Sequence, residues 1–222
     1  MRQIPLPIGP HAEPRFETFI AAGNEAALAH LRALPPAAAP VYLWGTAGSG
    51  KSHLLRALAT QLREAGGSLG WFDATLPAPW AVRPEWSLVV IDDAHRLDAA
   101  QQHAAFALFV EAATQGWRIA AAGDAPPVDL SVREDLRTRL GWGHVFHLHP
   151  LEEHQMRAAI RREADRRGIA ISDEVMHYLL TRLPRDLSRQ MALLDRLDDY
   201  SLAEGRQVTV PLVKRMLAEE PH

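Results

Sequence analysis

An α/β fold with a parallel, helix-covered sheet, followed by a smaller all-helical domain, is what three features of this sequence predict. Short, continuously apolar stretches alternate with helical segments. A glycine-rich loop ending in Lys51-Ser52 joins the first of those stretches to a helix. Beyond Pro150 no strand-like stretch remains. Continuous rather than alternating apolar runs are the pattern of parallel strands covered on both faces, and strand–helix alternation builds a doubly wound sheet.

The elements follow in order. Residues 1–15 (MRQIPLPIGPHAEPR) hold four prolines and one glycine and predict an extended, mobile tail, because proline donates to neither helix nor sheet. A short helix is expected from Asn24, as N-cap, to about Leu34, closed by Pro35-Pro36. Strands are expected at Val41–Trp44, Leu69–Phe72, Leu88–Ile91, Ile119–Ala122 and Val145–Leu148, with helices at His53–Glu64 and Glu134–Leu140 among the segments between. The last helices are expected at Leu151–Arg167, stopped by Gly168; from Ser172 as cap to about Leu183; on to about Glu204; and from Thr209, with Pro211 in the first turn. The expected organisation is a tail (1–15), an α/β domain (16–150) and a helical domain (151–222).

The composition narrows the function classes. The chain has 222 residues, 47% apolar and 23% charged, with a formal net charge of −3. These are the proportions of a soluble globular protein with a sizeable core. No run approaches the roughly 18–20 apolar residues of a membrane span, and no apolar signal segment follows Met1, so the cytoplasm is the expected compartment. With no cysteine, disulfides and thiolate metal sites are excluded. A pI near 6.4 argues against a domain held to nucleic acid by backbone charge. Of 24 basic residues only Lys51 and Lys214 are lysine.

One of those two lysines stands in Gly45-Thr46-Ala47-Gly48-Ser49-Gly50-Lys51-Ser52, which fits G-x-x-x-x-G-K-[ST] between an expected strand and an expected helix. Glycines let backbone N–H groups approach phosphate oxygens, and the helix N-terminus adds unpaired donors. Lys51 is expected on the β/γ-phosphates and the Ser52 hydroxyl on Mg²⁺. From this chain's residue frequencies, a chance match is expected in about one sequence in two thousand. Ser87-Leu88-Val89-Val90-Ile91-Asp92-Asp93 reads as the partner strand, with Asp92 expected to hold the magnesium through water and Asp93 to orient the attacking water. The plain alternative is a buried strand followed by a turn.

Taken together these pieces resemble the DnaA-related AAA+ ATPases of the bacterial replication-initiator group, over residues 14–220. Phe16-Glu17-Thr18-Phe19 with Gly23-Asn24 looks like the family's N-terminal box, which implies that Phe16 lies against adenine. Gly50-Lys51-Ser52-His53-Leu54-Leu55 resembles its phosphate-loop continuation, and Ala121-Ala122-Gly123-Asp124 its sensor 1 strand end, with Asp124 as the polar residue. Leu136-Arg137-Thr138-Arg139-Leu140-Gly141-Trp142-Gly143 resembles the arginine-finger segment, which implies that Arg139 acts in trans. The helices after Pro150 would be the AAA+ lid. There Ser188 stands where the family carries its sensor 2 arginine, leaving Arg189 or Arg185 as substitutes on other helical faces. Gln3-Ile4-Pro5-Leu6-Pro7-Ile8 is similar to peptides that bind the bacterial sliding clamp, with Gln3 hydrogen-bonding and Leu6 and Ile8 filling an apolar pocket. Its prolines pre-extend it.

The resemblance implies ADP or ATP with Mg²⁺ as cofactors, and the initiator DnaA and the polymerase III sliding clamp (β subunit) as partners. Self-association is compatible; DNA is reached only through the loaded clamp, and no membrane is involved. The family's shorter, inactivating branch is favoured over the initiator itself, since the sequence ends where the initiator continues into a DNA-binding domain. The expected role is an adaptor that stimulates hydrolysis of initiator-bound ATP and so restrains replication initiation, with intrinsic ATPase weak. The alternatives are a DNA-acting initiator-like or helicase-loader ATPase and a small-molecule kinase on a P-loop fold. His144, His147 and His149 lack a clear acidic partner for a metal, Arg161-Arg162 and Arg166-Arg167 read as a solvated face, and Trp142 reads as a packing anchor for the finger loop.

Overall fold

The computed structural model describes residues 13–182, 187–204 and 207–218, without the side chains of 188, 189 and 201–204. The chain divides into two compact units between Pro150 and Leu151. The first is a five-stranded sheet, β1 (Val41–Trp44), β2 (Leu69–Phe72), β3 (Leu88–Ile91), β4 (Arg118–Gly123) and β5 (His144–His147), in the order β2-β3-β4-β1-β5. All four pairings are parallel, with Trp44 beside Gly123 and Ile91 beside Ala121. Its helices are α1 (Glu25–Arg32), α2 (Lys51–Glu64), α3 (Ala99–Gln115) and α4 (Glu134–Leu140).

The continuous apolar strands bury both faces, as their composition demands. Val41, Leu43, Leu88, Val90, Ala120 and Ala122 point into a core shared with Leu31 of α1 and Leu54, Leu55 and Leu58 of α2. Tyr42, Val89, Ile91, Ile119 and Ala121 point the other way, against Ala105, Leu108 and Phe109 of α3 and Leu136 and Leu140 of α4. The edge strand β5 departs from expectation. It begins one residue earlier, and His144, Val145 and His147 are exposed, because only one neighbour and one helical layer cover it. His147 stacks on Trp44 at 3.8 Å between ring centroids, and His144 lies 4.2 Å from His30. Asn24 departs from expectation only in its side chain. It occupies the N-cap position of α1 as expected, but its side chain makes no cap hydrogen bond; its amide group instead bridges to His149, donating to the carbonyl oxygen (2.9 Å) and accepting from the N–H (2.8 Å).

The second unit contains α5 (Glu153–Arg167), closed by Gly168, α6 (Asp173–Arg182), α7 (Leu187–Glu204) and α8 (Val210–Ala218). The hydroxyls of Ser172 and Thr209 accept from the N–H groups of Val175 and Leu212, as caps do. Its core is Met156, Ile160, Val175, Leu179, Leu194, Leu197 and Val213. The arginines of α5 are largely neutralised within the unit. Glu163 accepts from Arg166 (2.6 and 3.0 Å) and Arg167 (2.7 Å), Arg167 also pairs with Asp195, and Arg161 binds Asp173 at 2.7 Å.

The Arg166 and Arg167 hydrogen bonds hold the Glu163 carboxyl at about 2, well below the usual carboxylate range. A group with a depressed folded pKa stabilises the fold above its unfolded value and loses that contribution as pH falls. Glu163→Gln is therefore expected to cost about 1 kcal/mol at neutral pH. The difference from wild type should narrow between about pH 4.5 and 2. Urea unfolding of the full chain, read by hydrogen exchange in α5, checks this; a difference that does not change with pH would contradict it.

Candidate nucleotide-binding site

The turn after β1 and the first residue of α2 create the central feature. Gly50, immediately before α2, has φ +94°, and a Cβ there would come within 2.6 Å of Phe19 Cε2, so only glycine fits. Lys51 is 93% buried, a costly place for a cation, and its Nζ donates to the carbonyl oxygens of Gly45 (2.7 Å) and Thr46 (2.9 Å). The Ser49 hydroxyl oxygen is buried inside the loop with no hydrogen-bond partner. A buried ammonium, an unpartnered hydroxyl and a helix N-terminus in one small loop suit a phosphate-bearing ligand.

The strand order places the acidic residues. Asp92 follows β3, and Asp124 follows β4, the strand between β3 and β1. Asp92 is 94% buried and hydrogen-bonded to the Ser52 side chain; burial pushes its carboxyl upward, and the Ser52 bond opposes that. A carboxylate and a hydroxyl in contact are a hard-cation donor pair, and Mg²⁺ there would neutralise phosphate charge. Asp93 has left-handed backbone (φ +49°), which aspartate tolerates better than most residues, and its carboxylate lies 3.7 Å from Arg96. The Asp124 carboxylate is half-exposed, 3.8 Å from His95 Nδ1.

The N-terminal box meets the loop through other residues than Phe16. Phe16 is buried in the core with Leu31 and Leu34, and Arg32 lies over its ring. Phe19 instead faces Gly50 and His53. His53 Nε2 lies 3.2 Å from the Thr18 hydroxyl and 3.0 Å from the Arg15 carbonyl oxygen, and burial lowers its pKa. Phe19, Thr18 and His95 were not singled out by sequence. The spacing of Thr18 and Phe19 within the box, and His95 two residues past Asp93, were the available signals.

Arg139 lies in the last turn of α4, and its described contacts are the rings of Trp142 and Phe106 rather than the loop. Trp142 is 67% exposed, which corrects its reading as a packing anchor. Gln3, Leu6, Ile8 and Arg185 lie outside the described residues, as does the Arg189 side chain.

A five-stranded parallel sheet with this strand order, a phosphate loop after β1, acids at the ends of β3 and β4 and a helical second unit make a P-loop fold of the AAA+ type. Residues 153–217 match the family model of the Hda lid domain. Domain III of the replication initiation protein DnaA from Thermotoga maritima superposes with a TM-score of 0.74 at 21% identity, over 96% of this chain and 98% of that one. AMPPCP-bound DnaA from Aquifex aeolicus gives 0.67 at 20% identity, over 93% and 70%. The RuvB Holliday junction branch migration motor from Thermotoga maritima gives 0.61 at 16%, over 89% and 67%. Residues 153–217 are thus similar to the Hda lid domain, and the chain as a whole shares the fold of DnaA domain III. Among the described residues no helix is long and apolar enough to cross a membrane.

Proposed function

We propose that this protein binds an adenine nucleotide with Mg²⁺ in the Gly45–Ser52 loop and acts as an adaptor. It is tethered to the sliding clamp by Gln3, Leu6 and Ile8, and it presents Arg139 to the ATP of a neighbouring DnaA, accelerating its hydrolysis. The buried Lys51 at the head of α2, with Ser52 bonded to Asp92, is the observation that carries the nucleotide. The Hda-type lid supports the adaptor branch over the initiator. AMPPCP in the Aquifex aeolicus DnaA, whose fold this chain shares, supports adenine as the base.

In this reading Lys51, the loop N–H groups and the α2 N-terminus bind and orient phosphate oxygens. Ser52 and Asp92 would hold the metal, Asp93 would position water, Asp124 would meet the terminal phosphate, and Arg189 would serve as the sensor 2 arginine. The protein's own nucleotide is mainly a conformational ligand, and the catalytic contribution is made in trans.

The tether is tested separately from the fold. Deleting residues 3–8 should leave the melting temperature nearly unchanged, since a terminal stretch of this proline-rich composition is expected to contribute little to a core. Co-migration of the purified protein with the clamp should be abolished, as should clamp-dependent stimulation of DnaA ATP hydrolysis. Unaltered clamp binding by the deletion variant would refute the tether.

A further inference from the structure

We propose that Trp142 is a positioning residue for Arg139, its indole face holding the guanidinium in place at the end of α4; this rests on the trans role proposed for Arg139. The Arg139 Cζ lies 4.8 Å from the Trp142 ring centroid and 6.0 Å from that of Phe106. Among the described residues Arg139 makes no ion pair. The carboxylate within reach on its own helix, Asp135, is taken by Arg133, at 2.7 and 3.2 Å. An aromatic face attracts a cation without neutralising it, whereas a carboxylate partner would cancel the charge the arginine must deliver.

The backbone explains why the ring stands where it does. The Trp142 N–H donates to the Arg139 carbonyl oxygen at 3.3 Å, so ring and guanidinium leave the same turn three residues apart. Gly143 then passes directly over Pro40, where any Cβ would run into the Pro40 carbonyl oxygen, and the His144 N–H donates to that oxygen at 2.8 Å. The chain is thus pinned on both sides of Trp142, while the side chain itself remains 67% exposed. An aromatic residue so exposed adds little to the core. Its partner is the arginine.

Two readouts test this. In the ¹⁵N-labelled full chain, the Trp142 indole N–H resonance, assigned by its loss in Trp142→Phe, should shift in Arg139→Ala; no shift would overturn the stack. In single-turnover hydrolysis of ATP preloaded on DnaA, with loaded clamp and saturating adaptor, Trp142→Ala should lower the rate about tenfold. Trp142→Phe should restore most of it, and Trp142→Leu should not. Trp142→Ala added to Arg139→Ala should lower the rate no further. A wild-type rate or a faster one in Trp142→Ala, with Arg139→Ala inactive, overturns the positioning role and leaves the finger. A further loss in the double variant also overturns it. Full stimulation by Arg139→Ala refutes the trans role, and the positioning role with it.

Discussion

Arg139→Ala is expected to abolish stimulation of DnaA ATP hydrolysis while leaving the fold, ADP affinity and clamp binding as in wild type. An arginine delivered to a transferring phosphoryl group neutralises charge that develops in the transition state. Such fingers contribute about 10³–10⁵ in rate. The side chain lies on the surface of the first unit against two rings, so its removal opens no core cavity. A surface ion pair would contribute at most about 1 kcal/mol, and the nearby Asp135 is already paired with Arg133. Arg137, two residues away, is the control, because it lines a different surface with Pro127, Val128 and Val145. Arg137→Ala should therefore stimulate normally. Loss of stimulation in Arg137→Ala with retention in Arg139→Ala would reassign the finger.

The second large effect is expected from Lys51→Ala. This substitution removes the buried positive charge of the phosphate loop and leaves the Gly45 and Thr46 carbonyl oxygens without its two hydrogen bonds. Nucleotide affinity should fall at least tenfold, about 1.4 kcal/mol, because a charge facing phosphate in a site of low dielectric is poorly replaced by water. Calorimetric titration with ADP checks it, and Lys214→Ala, in α8 of the second unit, should bind as wild type does. Equal affinity in Lys51→Ala and wild type would contradict the assignment of the loop.

The features legible in the sequence share one property: each is local. Four-residue apolar runs showed the strands because a strand buried on both faces has no room for polar residues. The phosphate loop was legible because backbone approach, lysine and hydroxyl must occur at fixed spacing. What was missed depends on distant partners. Asn24 has the composition of a cap, but its amide serves His149, 125 residues away. Phe19 and Thr18 meet the loop only because the chain before α1 folds back on α2 through His53. The histidines of β5 hid its start because a polar residue on an exposed edge looks like loop. Trp142 is the exception: its partner Arg139 is only three residues away, but tryptophan is usually core, and the sequence did not show that its ring stays exposed beneath the arginine.

The account's central claim is that this chain supplies a catalytic arginine to a neighbour's nucleotide. The most direct measurement is single-turnover hydrolysis of radiolabelled ATP preloaded on DnaA, followed with DNA-loaded clamp in the presence and absence of the purified protein. The account predicts a large rate increase that requires both the clamp and Arg139. An unchanged DnaA hydrolysis rate at saturating protein and clamp would contradict it.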